Sequence, residues 1–332
     1  MISSKVQKKI YDLMVKARVL EERLIKMNKG GQGFFWIGGP GEEAFNVPLG
    51  LLINKGEGLN HDYLHFHYRQ SATMLAMGAS VIDFIRQMHN TATDPFSGGR
   101  NFVNHCAVKE WNVVPVTSPI EVQYAFCIGT GVAQSRNKAK GITIVTGGDA
   151  GTAEGEFQSC LLWSSRKGRE LPILIIVTNN RWGISTPQKE VHPRTGIVER
   201  AKAFGIKTAV VDGNDVFASY EALKKAIDYV RKERKPFLIE ANVSRLYGHS
   251  SASGANWVEG EADCIKEFEK RLKKEKIMKE EDFQKIRQQY EEAAKKALLQ
   301  VLEEPVPDPA SIFNHVFVDR KDAEVVLPKW IK

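Results

Sequence analysis

Asp149 and Asn180 each follow a short β-branched run. ITIVT runs into Gly147-Gly148-Asp149-Ala150-Gly151, and PILIIVT runs into Asn179-Asn180. A carboxylate beside an amide oxygen suits a hard cation such as Mg²⁺, which fills its shell with phosphate and water oxygens as well. The glycines allow close backbone approach to a phosphate. A helix starting near Ala153 would point its first N–H groups at the same spot. Taken singly, a strand-end aspartate caps a helix and an asparagine pair makes a turn. Placed at successive strand ends, they read as one diphosphate–metal site.

Such a site needs a frame that brings both strand ends to one edge. The apolar runs at 142–146, 172–178, 208–211 and 237–243 alternate with helical stretches at 153–167, 197–204 and 215–232. Strands alternating with helices mean a parallel sheet covered on both faces. A right-handed crossover of this length sets consecutive strands side by side. Upstream, Ser3 or Ser4 can cap a helix to about Asn28, GGPGEE leads a short helix to Ile53, and 79–90 is helical. Residues 59–70 look irregular and 93–118 loop-rich. The chain reads as one α/β domain over 1–332, with a core at about 40–255, a helical extension at 260–304 and a tail at 305–332.

Composition narrows the classes. The chain has 332 residues, 42% hydrophobic and 26% charged, which fits a globular protein. No apolar run approaches the roughly 20 residues of a membrane span. The net charge of +7 is spread over mixed helices at 266–296, so nucleic acid is not expected. Cys106, Cys127, Cys160 and Cys264 are scattered, without the paired spacing of a zinc or disulfide framework; Cys127 and Cys160 read as core residues. The N-terminus carries no apolar signal core, and a cytoplasmic location is expected. His61, His65 and His67 have no accompanying zinc pattern, and Gly129, Gly131 and Gln134 make only a damaged dinucleotide fingerprint, better read as close helix packing.

The surrounding words are more specific. WIGGPGEEAF, HYRQSA, GGRNFVNH, NVVPVTSPIEVQ, GGDAG, AEGEFQ, TNNRWGISTP, VDGNDV and SRLYGHSSAS follow one another in the order and spacing of one family. The chain resembles the alpha subunit of the thiamine diphosphate-dependent 2-oxo acid dehydrogenase (decarboxylating) component of the large multienzyme complexes. The resemblance runs from the first helix to FNHVFVD, and NVVPVTSP is closer to the branched-chain members than to the pyruvate members.

The resemblance implies a thiamine diphosphate-binding α/β fold, with a mostly parallel sheet, helices on both faces and helical extensions at both ends. It implies thiamine diphosphate and Mg²⁺ as cofactors. Asp149, the Asn180 side chain and the Trp182 carbonyl would be metal ligands. Tyr68 and Arg69 would meet the cofactor, with Arg69 gripping the diphosphate. Ser118 and Ile120 would lie along its rings, and Gly148, Ala150 and Gly151 would approach the phosphates. His249 would reach the reactive end from a mobile loop as the catalytic residue, donating a proton or a hydrogen bond there with a near-neutral pKa. A beta-type subunit in a heterotetramer, a lipoyl-bearing acyltransferase and a 2-oxo acid are the implied partners. A pyruvate-type or other 2-oxo acid substrate, or a non-catalytic subunit keeping the fold, are the alternatives.

Three departures from the family pattern stand out. Ala150 replaces a glycine, so its turn should keep ordinary dihedrals. Ser71 stands where pyruvate members carry histidine. Ser251-Ala252-Ser253-Gly254 replaces the usual aspartates after the histidine, which leaves the loop's anchoring, and any phosphorylation at Ser250, open.

Overall fold

A computed structural model describes residues 2–193 and 196–314. The end of the tail, including most of FNHVFVD, lies outside the described residues. The strands are β1 (Tyr63–His65), β2 (Thr143–Gly148), β3 (Ile173–Asn179), the two-residue β4 (Trp182–Gly183) and β5 (Thr186–Pro187), β6 (Lys207–Asp212) and β7 (Phe237–Asn242). Five of them form a parallel sheet in the order β1-β2-β3-β7-β6, and β4 and β5 form a small antiparallel ribbon. β2 and β3 are neighbours in the register Gly148 with Thr178, as the crossover rule requires.

The alternation of side chains builds two cores. Leu174 and Ile176 of β3 face one, with Ile144, Phe237 and Ile239. Ile173, Ile175 and Val177 face the other, with Val145 and Leu238. β3 is therefore buried on both sides, which explains its uninterrupted apolar run. The first core takes in the helix Ser4–Lys29 and the C-terminal helices Cys264–Lys274 and Glu280–Val301. Tyr11 packs on Phe283 at 4.8 Å and donates to Glu269 at 2.6 Å, tying the two ends together.

Several expectations are corrected. Residues 59–70 are not wholly irregular: β1 forms the sheet edge there. Its outer side is taken by the following loop, as Leu64 N–H donates to Asn112 O and Val114 N–H to Leu64 O. The helix expected at 79–90 is present as Val81–His89, and a helix not expected, Ser71–Met77, precedes it and ends at Gly78, φ 112°. A further helix, Gln123–Arg136, covers the second core, and Gly131 packs there against Ile173. The helix expected at 153–167 is Gly155–Ser164, preceded by a tight turn at Ala150–Ala153. Ser3 sits at the first helix's cap position without a side-chain bond.

Asp215 caps the helix Val216–Glu233, accepting from Phe217 N–H at 2.7 Å and Ala218 N–H at 3.0 Å. Its replacement by alanine strands two donors. The expected cost is about 1 kcal/mol, read as an earlier urea midpoint at constant slope; an unmoved midpoint would show the cap carries no stability.

Candidate functional site

The carboxyl ends of β2 and β3 open on a cavity of about 360 Å³, within the size range of cofactor sites. Every residue nominated from the sequence lines it: Tyr68, Arg69, Ser118, Ile120, Gly148, Asp149, Ala150, Gly151, Asn180, Trp182 and His249. The floor is polar, while Ile37, Ile120, Trp182, Ile184 and Val191 supply apolar walls.

Asp149 leaves the sheet directly after Gly148 and is 1% exposed. Its Oδ2 has no hydrogen-bond partner. Burial is the largest influence on its carboxyl and pushes it up to about 6, against the pull of Arg69 and nearby backbone N–H groups. A buried carboxylate oxygen left alone is costly, and a cation or donor meeting it removes that cost. Asn180 is also buried, and its Oδ1 accepts the Trp182 N–H at 3.1 Å. The donor set of carboxylate, amide and nearby backbone carbonyls is oxygen-rich, as Mg²⁺ requires. Asn179 serves the frame instead, donating to Glu240 at 2.8 Å. Ala150 has an ordinary negative φ, since it is not among the left-handed residues.

Arg69, His249 and two of the glycines also have neighbours within the protein. Arg69 is not a free fork: it is 4% exposed and donates to the Gly38 carbonyl and to His249 Nδ1, the latter at 3.1 Å. Its Nε lies 3.7 Å from Glu42. Its charge is thus fixed at the cavity floor by three partners.

Because arginine only donates, His249 Nδ1 must accept, which leaves the ring proton on Nε2. Burial, then Arg69 and Arg245, push this imidazole down to about 3. In this arrangement the His249 ring is neutral and presents its Nε2–H as a hydrogen-bond donor. Its loop is anchored without the missing aspartates: Ser250 bridges Ile37, and Ser251 exchanges bonds with Trp36 through N–H to O at 2.8 Å and Oγ from N–H at 3.1 Å.

Gly147 and Gly151 owe their lack of a side chain to a protein neighbour. A Cβ on either would collide with the Glu121 carboxylate. Glu121 is buried, and burial chiefly pushes it up to about 8, with Asp149 adding to the rise.

Other residues fall into place around this centre. Ser118 Oγ donates to His105 Nε2 at 3.2 Å, while His105 Nδ1 donates to the Val103 carbonyl at 3.1 Å. Ser71 faces away from the cavity and donates to buried Glu21 at 2.5 Å. His65 pairs with Thr130 at 2.9 Å and His61 with the Glu57 carbonyl at 3.0 Å, so the three histidines of 61–67 do not converge. Cys127 and Cys160 are core residues in mutual contact at 3.6 Å. Glu42, Glu121, Gln123 and Arg245 were not legible as site residues. Only the GEE word, for Glu42, and the SPIEVQ word, next to Ser118 and Ile120, for Glu121 and Gln123, signalled the first three.

The sequence of the family named dehydrogenase E1 component matches residues 11–310, and the chain belongs to that family. Within it, the chain is similar to alpha subunits of 2-oxoisovalerate dehydrogenase. The mitochondrial subunit alpha 2 of Arabidopsis thaliana is 30% identical over 252 residues, covering 76% of this chain and 52% of that protein. Its subunit alpha 1 is 29% identical over 312 residues, covering 91% and 63%. The subunit alpha of Bacillus subtilis (strain 168) is 30% identical over 242 residues, covering 73% and 72%. The chain thus spans about half to two-thirds of the plant relatives' length. Among the described residues, no helix is long and apolar enough to cross a membrane.

Proposed function

We propose that this chain is the alpha-type subunit of a 2-oxo acid dehydrogenase component that uses thiamine diphosphate and Mg²⁺, acts on branched-chain 2-oxo acids and passes the acyl unit to a lipoyl-bearing acyltransferase. The observation that carries the reading is the unpartnered Oδ2 of buried Asp149, beside Asn180, at the ends of adjacent parallel strands. The relatives named for 2-oxoisovalerate support the substrate class.

Asp149, Asn180 and the Trp182 carbonyl would hold the metal, and through it the diphosphate. Thiamine diphosphate supplies the electron sink for losing carbon dioxide from a 2-oxo acid. The chain's own residues supply the rest. Arg69 sets a fixed positive charge beside the anion site, screened little because it is buried. Ile37, Ile120 and Ile184 form an apolar wall that would keep water out once a partner covers it. His249 presents its Nε2–H as a donor to charge developing at the reacting end. Ile120 and Ile184 are 61% and 51% exposed, which supports a beta-type partner, in a heterotetramer, closing the cavity.

The test is reconstitution with a beta-type partner, Mg²⁺ and thiamine diphosphate, followed by carbon dioxide release from a panel including 2-oxoisovalerate and pyruvate. Release with the partner present, fastest on branched acids, is expected. Full activity from the chain alone would overturn the partnership. A pyruvate preference would overturn the substrate class.

A further inference from the structure

Glu121 is an unusual residue for its place. It sits in the left-handed region at φ 61°, a conformation that costs a side-chain-bearing residue energy unless its surroundings hold it there. It is 3% exposed. Gly148 N–H donates to its Oε1 at 3.0 Å, and Gln123 Nε2 donates to its Oε2 at 2.8 Å and to the Thr146 carbonyl at 3.0 Å. Side chains at Gly147 or Gly151 would occupy its space. Two glycines, one strained backbone and two hydrogen bonds are thus arranged around one carboxylate, and Gln123 ties it on to the Thr146 carbonyl.

That carboxylate joins two walls of the cavity. One is the segment 117–121, which carries Ser118 and Ile120; the other is the turn 147–151, which carries Asp149. We propose that Glu121 is a positioning residue that braces these walls together and so sets the aim of Asp149; this rests on reading the cavity as a diphosphate–metal site. It acts through the backbone of the residue preceding Asp149, as outer partners of metal ligands do.

Five full-length chains test it: wild type, Glu121→Gly, Glu121→Gln, Gly151→Ala, and Gly151→Ala combined with Glu121→Gly. Glycine at 121 removes the side chain and relieves the positive φ, so the fold is retained. Two readouts are taken: amide hydrogen exchange across 143–154, and Mn²⁺ affinity by electron paramagnetic resonance with thiamine diphosphate present. Glu121→Gly is expected to speed exchange and to weaken Mn²⁺ binding by about tenfold or more, the usual worth of an outer partner. Glu121→Gln keeps the acceptor for Gly148 and should stay nearer wild type in both. Gly151→Ala should be harmful only while Glu121 is present, so the double variant should be no worse than Glu121→Gly.

Unchanged exchange and affinity in Glu121→Gly would overturn the brace. Tighter binding in that variant would also overturn it, making the carboxylate a competitor of the diphosphate. If wild type binds no Mn²⁺ with thiamine diphosphate, the functional reading fails by itself. The exchange comparison then still decides whether Glu121 holds the turn.

Discussion

Replacing Asp149 with alanine is expected to abolish magnesium-dependent binding of thiamine diphosphate while leaving the chain folded. Asp149 brings the carboxylate at the paired strand ends, and its Oδ2 is buried without a partner. Without it the diphosphate's charge is poorly neutralised, a loss of several kcal/mol, or roughly a hundredfold or more in affinity. Stability should move the other way. The folded-state pKa is raised to about 6, so this group favours folding in acid and loses that contribution as pH rises through about 6. Asp149→Ala should therefore be at least as stable as wild type at neutral pH. Asn180→Ala should weaken binding more mildly, since it removes a neutral ligand. Cofactor titration by fluorescence quenching, beside thermal melts, reads both effects. Wild-type affinity in the Asp149 variant would end the assignment of this metal site.

His249→Ala should separate chemistry from binding. The imidazole touches Arg69 and packs edge-on to Tyr68 at 6.1 Å, but it makes no hydrogen bond to Asp149 or Asn180, and Arg69 keeps its Gly38 and Glu42 partners without it. Cofactor affinity should thus stay near normal. Acylation of a lipoyl domain by the reconstituted enzyme should fall about 10²-fold or more, the usual worth of a positioned proton or hydrogen-bond donor. Because the ring is held neutral with its proton on Nε2, the remaining activity of wild type should show no histidine-like inflection near pH 6.5 assignable to this group. Acylation within a few-fold of wild type would make His249 a bystander and move the donor to the partner subunit.

The centre of this site was legible because it lies on the most regular part of the chain. β2 and β3 are β-branched runs buried on both faces, and the neighbour rule for crossovers carried Asp149 to Asn180 without further information. β1 escaped because three residues cannot show a period, and its Tyr-Leu-His carries no strand-like run. The helix Gln123–Arg136 escaped because its buried positions include Gly131 and Gln134, which blur an apolar stripe. Glu121 escaped for a deeper reason: a glutamate in a turn ordinarily faces water, and only tertiary packing against Gly147 and Gly151 reveals its burial. The Arg69–His249 contact joins residues 180 positions apart, beyond any local signal.

The covered outer side of β1 has a consequence for assembly. A bare edge strand invites another chain to extend the sheet, but here Asn112 and Val114 already hold the backbone groups of Leu64. At the far edge, β6 begins with a charged lysine, Lys207, which discourages docking strand to strand. Growth of the sheet sideways into a larger one is thus blocked at its first edge and disfavoured at its second. The exposed Ile120 and Ile184 at the cavity mouth are left as apolar surface that a covering protein would bury.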